Sequence, residues 1–381
     1  MQLSFDIRAF LQQDWQRRPR LFRQAFSHFE DAIEPEILAG LALEEGIDAR
    51  VISHQANRWQ VTHGPFEDYE RFGEHDWTLL VQSVNEWVPA VAALLEPFRF
   101  LPDWRLDDVM VSFATEGGGV GPHLDQYDVF IIQGQGRRHW RVGARGDYPE
   151  HRPHPDLKQL VTPQFETLID AELAPGDMLY IPAGCPHEGI GLEPSLNYSI
   201  GFRAPTQVEL LSQVVDALID VDALGARYRD PEDLQIQSSY QVDATQLQAI
   251  RNFASQALSQ TALDDALLRV LSQSKRPLPQ PELPLTATQL QQLDAREVSL
   301  VRTPGARLLL SPTGAAYCAG EYLNVGAKAT ATLHMLAAST TELALEELLL
   351  AEPEVADLVS QLLALGAWYL LLDDDDAADE D

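Results

Sequence analysis

The chain has 381 residues, 45% hydrophobic and 22% charged, and its 58 acidic against 27 basic side chains leave a formal charge of -31. That length and apolar content suit two or three folded domains rather than a disordered chain. The charge argues against docking on phosphate backbones or anionic lipid and favours a basic partner.

With Cys185 and Cys318 as its only cysteines, the chain has no disulfide framework. Asp6, Arg8, Asp14 and Arg17 interrupt the start, which therefore does not read as a signal peptide. The longest nearly apolar run, Leu358 to Leu372, is too short to span a bilayer and contains Ser360, Gln361 and Gly366. A soluble cytoplasmic protein is expected.

In chain order, Phe10-Leu11, Trp15, Arg18-Pro19 and Leu21-Phe22 predict a helix stopped by proline, then a strand. Trp77, Leu80, Val84, Trp87 and Val91 fall at helical intervals and predict an amphipathic helix over Trp77 to Leu95, its tryptophans filling core. From Trp104 to about Ala204 the texture is strand and turn. Val109 to Phe113, Val129 to Gln133, Arg138 to Val142, Met178 to Ile181 and Leu196 to Phe202 are short apolar runs punctuated by Gly and Pro, as in a small barrel or jelly roll.

After Pro205 the pattern turns helical. Leu210, Val214, Leu218 and Val221 form one apolar stripe, and Leu247, Ile250, Phe253 and Leu258 another. These stripes suit a homodimer or an intramolecular core. The proline-rich Pro277 to Pro284 reads as a linker. Beyond it come a helix from Ala287 to Asp294, strands Val298 to Arg302 and Arg307 to Leu310 joined by Thr303-Pro304-Gly305, and helices from about Thr330 and Val355. Helices with a two-stranded wing suggest a winged-helix-like module. Residues 281–381 hold four basic and seventeen acidic side chains, so direct nucleic-acid binding is not expected. Residues 373–381 read as an acidic, solvated tail. The expected division is 1–204 catalytic, 205–276 helical linking and dimerisation, 277–372 winged-helix-like, and 373–381 tail.

The chemistry concentrates in two stretches. The first is Gly117-Gly118-Gly119-Val120-Gly121-Pro122-His123-Leu124-Asp125, whose last His-x-Asp would set an imidazole beside a carboxylate on an extended strand. The second, Pro175 to His187, reads as a turn, a short apolar strand and a rigid bend ending on a histidine. Two imidazoles and one carboxylate can occupy one face of a metal and leave the other open, the arrangement of non-haem Fe(II) oxygenases. His-x-Asp alone is equally a hydrogen-bonded couple on a sheet. Arg138 adds an independent signal. On a strand it shares a face with Trp140 and Val142 while Arg137, His139 and Arg141 take the other, which buries a guanidinium that needs a carboxylate.

Gly117, five residues, then His123-x-Asp125, with Gly176, five residues, then Pro182-x-Gly184-x-x-His187, resemble the paired motifs of the cupin superfamily. Gly191 departs from the asparagine common in the second motif. The His-x-Asp variant with a distal histidine resembles the JmjC oxygenases. Gly119 to Gly134 with Arg137-Arg138-His139-Trp140, the Trp15/Arg18-Pro19 entry and the winged-helix-like end narrow the likeness to the bacterial ribosomal oxygenases.

The resemblance implies an α+β protein with a double-stranded β-helix core, followed by a helical dimerisation module and a winged-helix-like domain. It further implies a dioxygenase using Fe(II), 2-oxoglutarate and O2 to hydroxylate an arginine of a basic ribosomal protein, number sixteen of the large subunit. Position by position, His123, Asp125 and His187 would hold iron, and Arg138, fifteen residues after His123, would pair with the far carboxylate of 2-oxoglutarate. Asn197 or Ser199 would add a polar contact to it. Glu116, or less directly Tyr127, would receive the substrate guanidinium, while Cys185 is a small packing residue. N-methyl demethylation on the same chemistry, or a metal-binding cupin regulator without turnover, are the alternatives.

Overall fold

A computed structural model describes residues 2–55, 58–162, 164–203, 205–220, 226–230, 242–257, 261–294, 296, 298–348 and 350–372. Val221, Leu258 and the acidic tail lie outside them. The chain divides into two compact units, Met1–Ala204 and Pro205–Asp381. Among the described residues no helix is long and apolar enough to cross a membrane.

Thirteen strands are described in the first unit: β1 (Arg20–Phe22), β2 (Ala49–Gln55), β3 (Arg58–His63), β4 (Trp77–Val81), β5 (Leu106–Ala114), β6 (Asp128–Gln133), β7 (Arg138–Gly143), β8 (Glu150–His154), β9 (Leu157–Leu160), β10 (Thr167–Leu173), β11 (Met178–Ile181), β12 (His187–Gly191) and β13 (Ser195–Phe202). An eight-stranded antiparallel sheet runs β1-β11-β6-β13-β5-β4-β2-β3, and a three-stranded sheet runs β10-β7-β12. From β10 to β13 the chain alternates between these sheets, the signature of a double-stranded β-helix.

The large sheet is covered on one face by aromatic packing. Phe10 and Trp15 from the N-terminal segment meet Phe130, Tyr180 and Phe202, and Phe98 packs on Phe130. Asp128, fully buried, ties this layer together by accepting from Tyr180 Oη at 2.8 Å and pairing with Arg105 at 2.9 Å. Its other face meets the small sheet across a second apolar cluster with Val129, Ile131, Trp140, Val142, Leu179 and Cys185. Residues of β6 therefore alternate between two cores, and every residue of the strand is buried.

Two expectations fail here. Trp77 to Leu95 is not one helix: Trp77–Val81 is β4, paired with both β2 and β5, and only 3-10 turns and the short helix Pro89–Ala92 follow. A central strand buried on both faces loses its alternation, so chance spacing imitated a helix. Trp87 is half exposed and fills no core, unlike Trp77.

In the second unit, helices Gln207–Asp220 and Thr261–Ser272 pack through Val214, Ala217, Ala266 and Val270. A separate core gathers helix Pro353–Ala364 with two three-stranded sheets. With β14 (Val298–Arg302), β15 (Leu308–Leu310), β16 (Ala316–Cys318), β17 (Glu321–Leu323), β18 (Leu343–Ala344) and β19 (Trp368–Leu372), the orders are β18-β14-β19 and β15-β16-β17. The expected wing is thus corrected, because β14 and β15 do not pair across Thr303-Pro304-Gly305. β14 instead recruits β19 from the end of the unit.

Candidate active site

The two motif stretches are zipped together by their backbones. Gly117 donates to the Gly191 carbonyl at 2.9 Å, Gly191 to Gly118 at 2.8 Å, and His123 and His187 exchange a reciprocal pair at 3.0 Å. The imidazoles consequently lie side by side, tilted by 58° with centroids 4.2 Å apart. Each ring is held by its own turn: Nδ1 of His123 lies 2.9 Å from the Gly121 carbonyl, and Nδ1 of His187 lies 3.0 Å from that of Cys185. A carbonyl only accepts, so both protons sit on Nδ1 and both Nε2 lone pairs are left for another partner. Asp125 Oδ2 is 3.5 Å from His187 Nε2, and one donor atom from each of the three residues falls within 4.8 Å of the others.

Burial, then the neighbouring His187, pulls the His123 pKa down to about 4, so the ring is neutral. Burial alone would raise Asp125, but the neighbouring His187 and His123 and the hydrogen bond from the Tyr127 hydroxyl hold its carboxyl below the usual range. Two imidazole Nε2 atoms and a carboxylate form a donor set that suits a divalent transition metal.

These donors face a cavity of about 280 Å³ between the two sheets. Its inner end holds Arg138, 6% exposed. The guanidinium donates to Ser112 Oγ and carbonyl at 2.9 and 2.8 Å and to Ser195 Oγ and carbonyl at 3.0 and 2.9 Å. No carboxylate pairs with it among the described residues, which removes the structural ion pair that a buried arginine otherwise implies. Burial lowers its pKa to about 9.

Residues 93–210 match the JmjC domain family and residues 248–369 the ROXA-like winged helix. The X-ray structure of E. coli YcfD superposes with a TM-score of 0.89 at 41% identity, covering 97% of this chain and 99% of that one. The chain belongs to the JmjC-type ribosomal oxygenases. By sequence it is 56% identical over 231 residues to the E. coli ribosomal protein uL16 3-hydroxylase, spanning 61% of each protein. A probable ribosomal oxygenase of Haemophilus influenzae is 34% identical over 265 residues, 67% of this chain and 63% of that one. These alignments therefore span just over three fifths of the length of the relatives. YcfD complexes with cobalt and 2-oxoglutarate, and with cobalt and succinic acid, superpose at TM-score 0.86 and 40% identity over 97% of this chain and 99% of theirs.

Within this oxygenase cavity the sequence-derived residues are mostly brought together. Asn197, Ser199 and Tyr127 line it with His123, Asp125, His187 and Arg138. Both amide atoms of Asn197 are buried without a partner, as is Trp140 Nε1. Tyr127 keeps 42% of its surface exposed while its hydroxyl reaches inward to Asp125, and burial raises its pKa well above normal. Glu116 is not brought in: its carboxylate is two-thirds exposed, 3.9 Å from His75 and away from the cavity lining. It closes a turn whose preceding residue, Thr115, hydrogen-bonds inward to Trp77.

Gly191, the departure from the common cupin motif, has a physical reason. A Cβ there would lie 2.4 Å from the Thr115 carbonyl, where the two motif loops close. Cys185 is 1% exposed with its thiol pushed up to about 11 by burial, and it packs with Val142 and Ile181. Sequence reading missed Ser112, Trp140 and Arg50 as cavity residues, and Ser195 as a partner of Arg138. Alternation along β5 and β13 was the only signal available for the serines.

Proposed function

We propose that the chain is an Fe(II)- and 2-oxoglutarate-dependent oxygenase that hydroxylates an arginine side chain of ribosomal protein uL16. The observation that carries this reading is an unpaired buried guanidinium, Arg138, in one cavity with three converging metal donors. The residues fit the groups the family uses. The unpartnered Asn197 amide and Trp140 Nε1 offer hydrogen bonds to a polar ligand that nothing in the protein satisfies.

In this reading His123, Asp125 and His187 hold the ion on one face, with Nδ1 hydrogen bonds fixing each imidazole. Arg138 anchors the far carboxylate of 2-oxoglutarate, bidentate geometry being the one a guanidinium matches best, and Asn197 and Ser199 contact the rest. When bound, iron with 2-oxoglutarate and O2 supplies the oxidant: one oxygen atom enters a substrate C–H bond and the other enters succinate as CO2 leaves. Val129, Ile131 and Met110 give the cavity an apolar wall that keeps water from the reacting carbon. Tyr127 steadies Asp125 and stands at the exposed edge, where a substrate side chain would enter. Glu116 would meet a basic segment only outside the cavity.

Helix Gln207–Asp220 supports a homodimer. One face packs inside its own unit, while Val208, Leu211, Val215 and Ile219 form a second, exposed apolar stripe. The winged-helix-like part is read as binding no nucleic acid: Arg296 is paired with Asp294, Lys328 with Glu352, and Arg302 and Arg307 turn to main-chain carbonyls. A ribosomal substrate places the enzyme in the cytoplasm.

The test is incubation with Fe(II), 2-oxoglutarate and E. coli uL16, followed by mass spectrometry and succinate determination. A gain of one oxygen on an arginine, lost in His123→Ala, is expected. Loss of a methylene would mean demethylation, and no succinate above the substrate-free level would mean a regulator without turnover.

A further inference from the structure

Arg50 is a second guanidinium in the same cavity, beside Tyr127, and the fold gives it no hydrogen bond or carboxylate partner among the described residues. Its Nε is enclosed with nothing to donate to. The acid on the same cavity lining, Asp156, is engaged elsewhere, lying 3.2 Å from His63 and 3.8 Å from His154. In a chain of -31 charge, a part-buried cation that pairs with no carboxylate needs an external acceptor.

Strand register separates this cation from the cosubstrate end. Asn197 pairs with Ser112, Ser112 with Leu80, and Leu80 with Arg50, so these four stand in one row across the large sheet. Arg138 is docked on Ser112, two strands from Arg50, about 10 Å away at the usual strand spacing. A diacid held by Arg138 at one end and the metal donors at the other has both ends matched. Arg50 must therefore address a different molecule, and Tyr127 and Lys158 on the same lining are exposed to solvent.

Resting on the functional reading above, we infer that Arg50 binds the main-chain carbonyls of the substrate segment flanking its target residue. A cationic target side chain would be repelled by a guanidinium, whereas an extended segment presents carbonyl acceptors at every second residue whatever its sequence. Arg50 thereby sets how deep the segment lies over the metal donors and rejects free arginine, which has no flanking carbonyls.

The experiment uses full-length protein loaded with cobalt and 2-oxoglutarate, so that no turnover intervenes, and measures binding of E. coli uL16 by titration. Arg50→Met should weaken that binding about tenfold or more, the loss expected for charged hydrogen bonds. The 2-oxoglutarate-induced rise in melting temperature should stay as in wild type, and Arg50→Lys should recover only part of the loss. Unchanged uL16 binding in Arg50→Met overturns the inference alone. Loss of the 2-oxoglutarate response in that variant also overturns it, by making Arg50 a cosubstrate or folding residue. Failure of wild type to bind uL16 overturns the substrate reading and the role of Arg50 with it.

Discussion

Replacing Arg138 by methionine separates binding from folding. The fall of its pKa from the ordinary guanidinium value to about 9 on burial corresponds, at 1.36 kcal/mol per tenfold, to roughly 5 kcal/mol of unfavourable charge burial in the ligand-free fold. Because the folded pKa lies below the unfolded one, this cost is fully present at neutral pH and fades only as pH rises from about 9 towards the ordinary guanidinium value. Four hydrogen bonds to Ser112 and Ser195, at about 1 kcal/mol each, offset most of it. The net contribution of the guanidinium to apo stability is therefore near zero. Arg138→Met should change the unfolding free energy by less than about 2 kcal/mol. In wild type, succinate at a hundred times its Kd adds about 2.7 kcal/mol of stability, and in the variant that increment should vanish. Denaturant unfolding with cobalt, with and without succinate, reads both quantities on the transition that responds to succinate. A variant that loses more than about 3 kcal/mol yet keeps the succinate increment would refute the reasoning and make Arg138 a structural residue.

Other outcomes follow from the same geometry. His123, held at about 4 by burial against an unfolded value of 6.5, leaves the metal-free protein binding fewer protons than the unfolded chain between those values. Stability should accordingly fall as pH drops from 6.5 towards 4, by up to about 3 kcal/mol, and this slope should flatten in His123→Asn, as followed by thermal melts across pH. Gly189→Ala would set a Cβ 2.6 Å from the Trp140 ring; tilting the indole should cost about 1–3 kcal/mol in denaturant titrations and weaken succinate binding. Neither Cys185 nor Cys318, raised by burial to about 11 and about 12, should react with a thiol reagent before denaturation, as absorbance of the released chromophore would report. Val215→Asp with Ile219→Asp, on the exposed stripe, should halve the mass seen by light scattering if that face joins two copies.

The meeting of His123, Asp125 and His187 and the burial of Arg138 could be read from the chain because each lies in a local pattern. His-x-Asp, the Pro-x-Gly-x-x-His bend and the Arg138, Trp140, Val142 alternation all depend on a few consecutive residues. Ser112, Ser195 and Arg50 could not, since what gives them meaning is register between strands distant in sequence. β4 misled for the opposite reason: packed on both faces, it carries no period of two. The β14 to β15 turn looked like a hairpin because nothing local announces that Trp368–Leu372 returns to pair with Val298–Arg302.

The reciprocal backbone bonds between His123 and His187 mean that chain folding, not ion capture, fixes the spacing of the two imidazoles. A chelator should consequently strip the protein without melting it, and refilling should need no rearrangement. Which ion then resides there is governed by what the surroundings supply, since a preset clasp of two nitrogens and one oxygen follows the general affinity order of the first-row divalent metals and does not by itself favour iron.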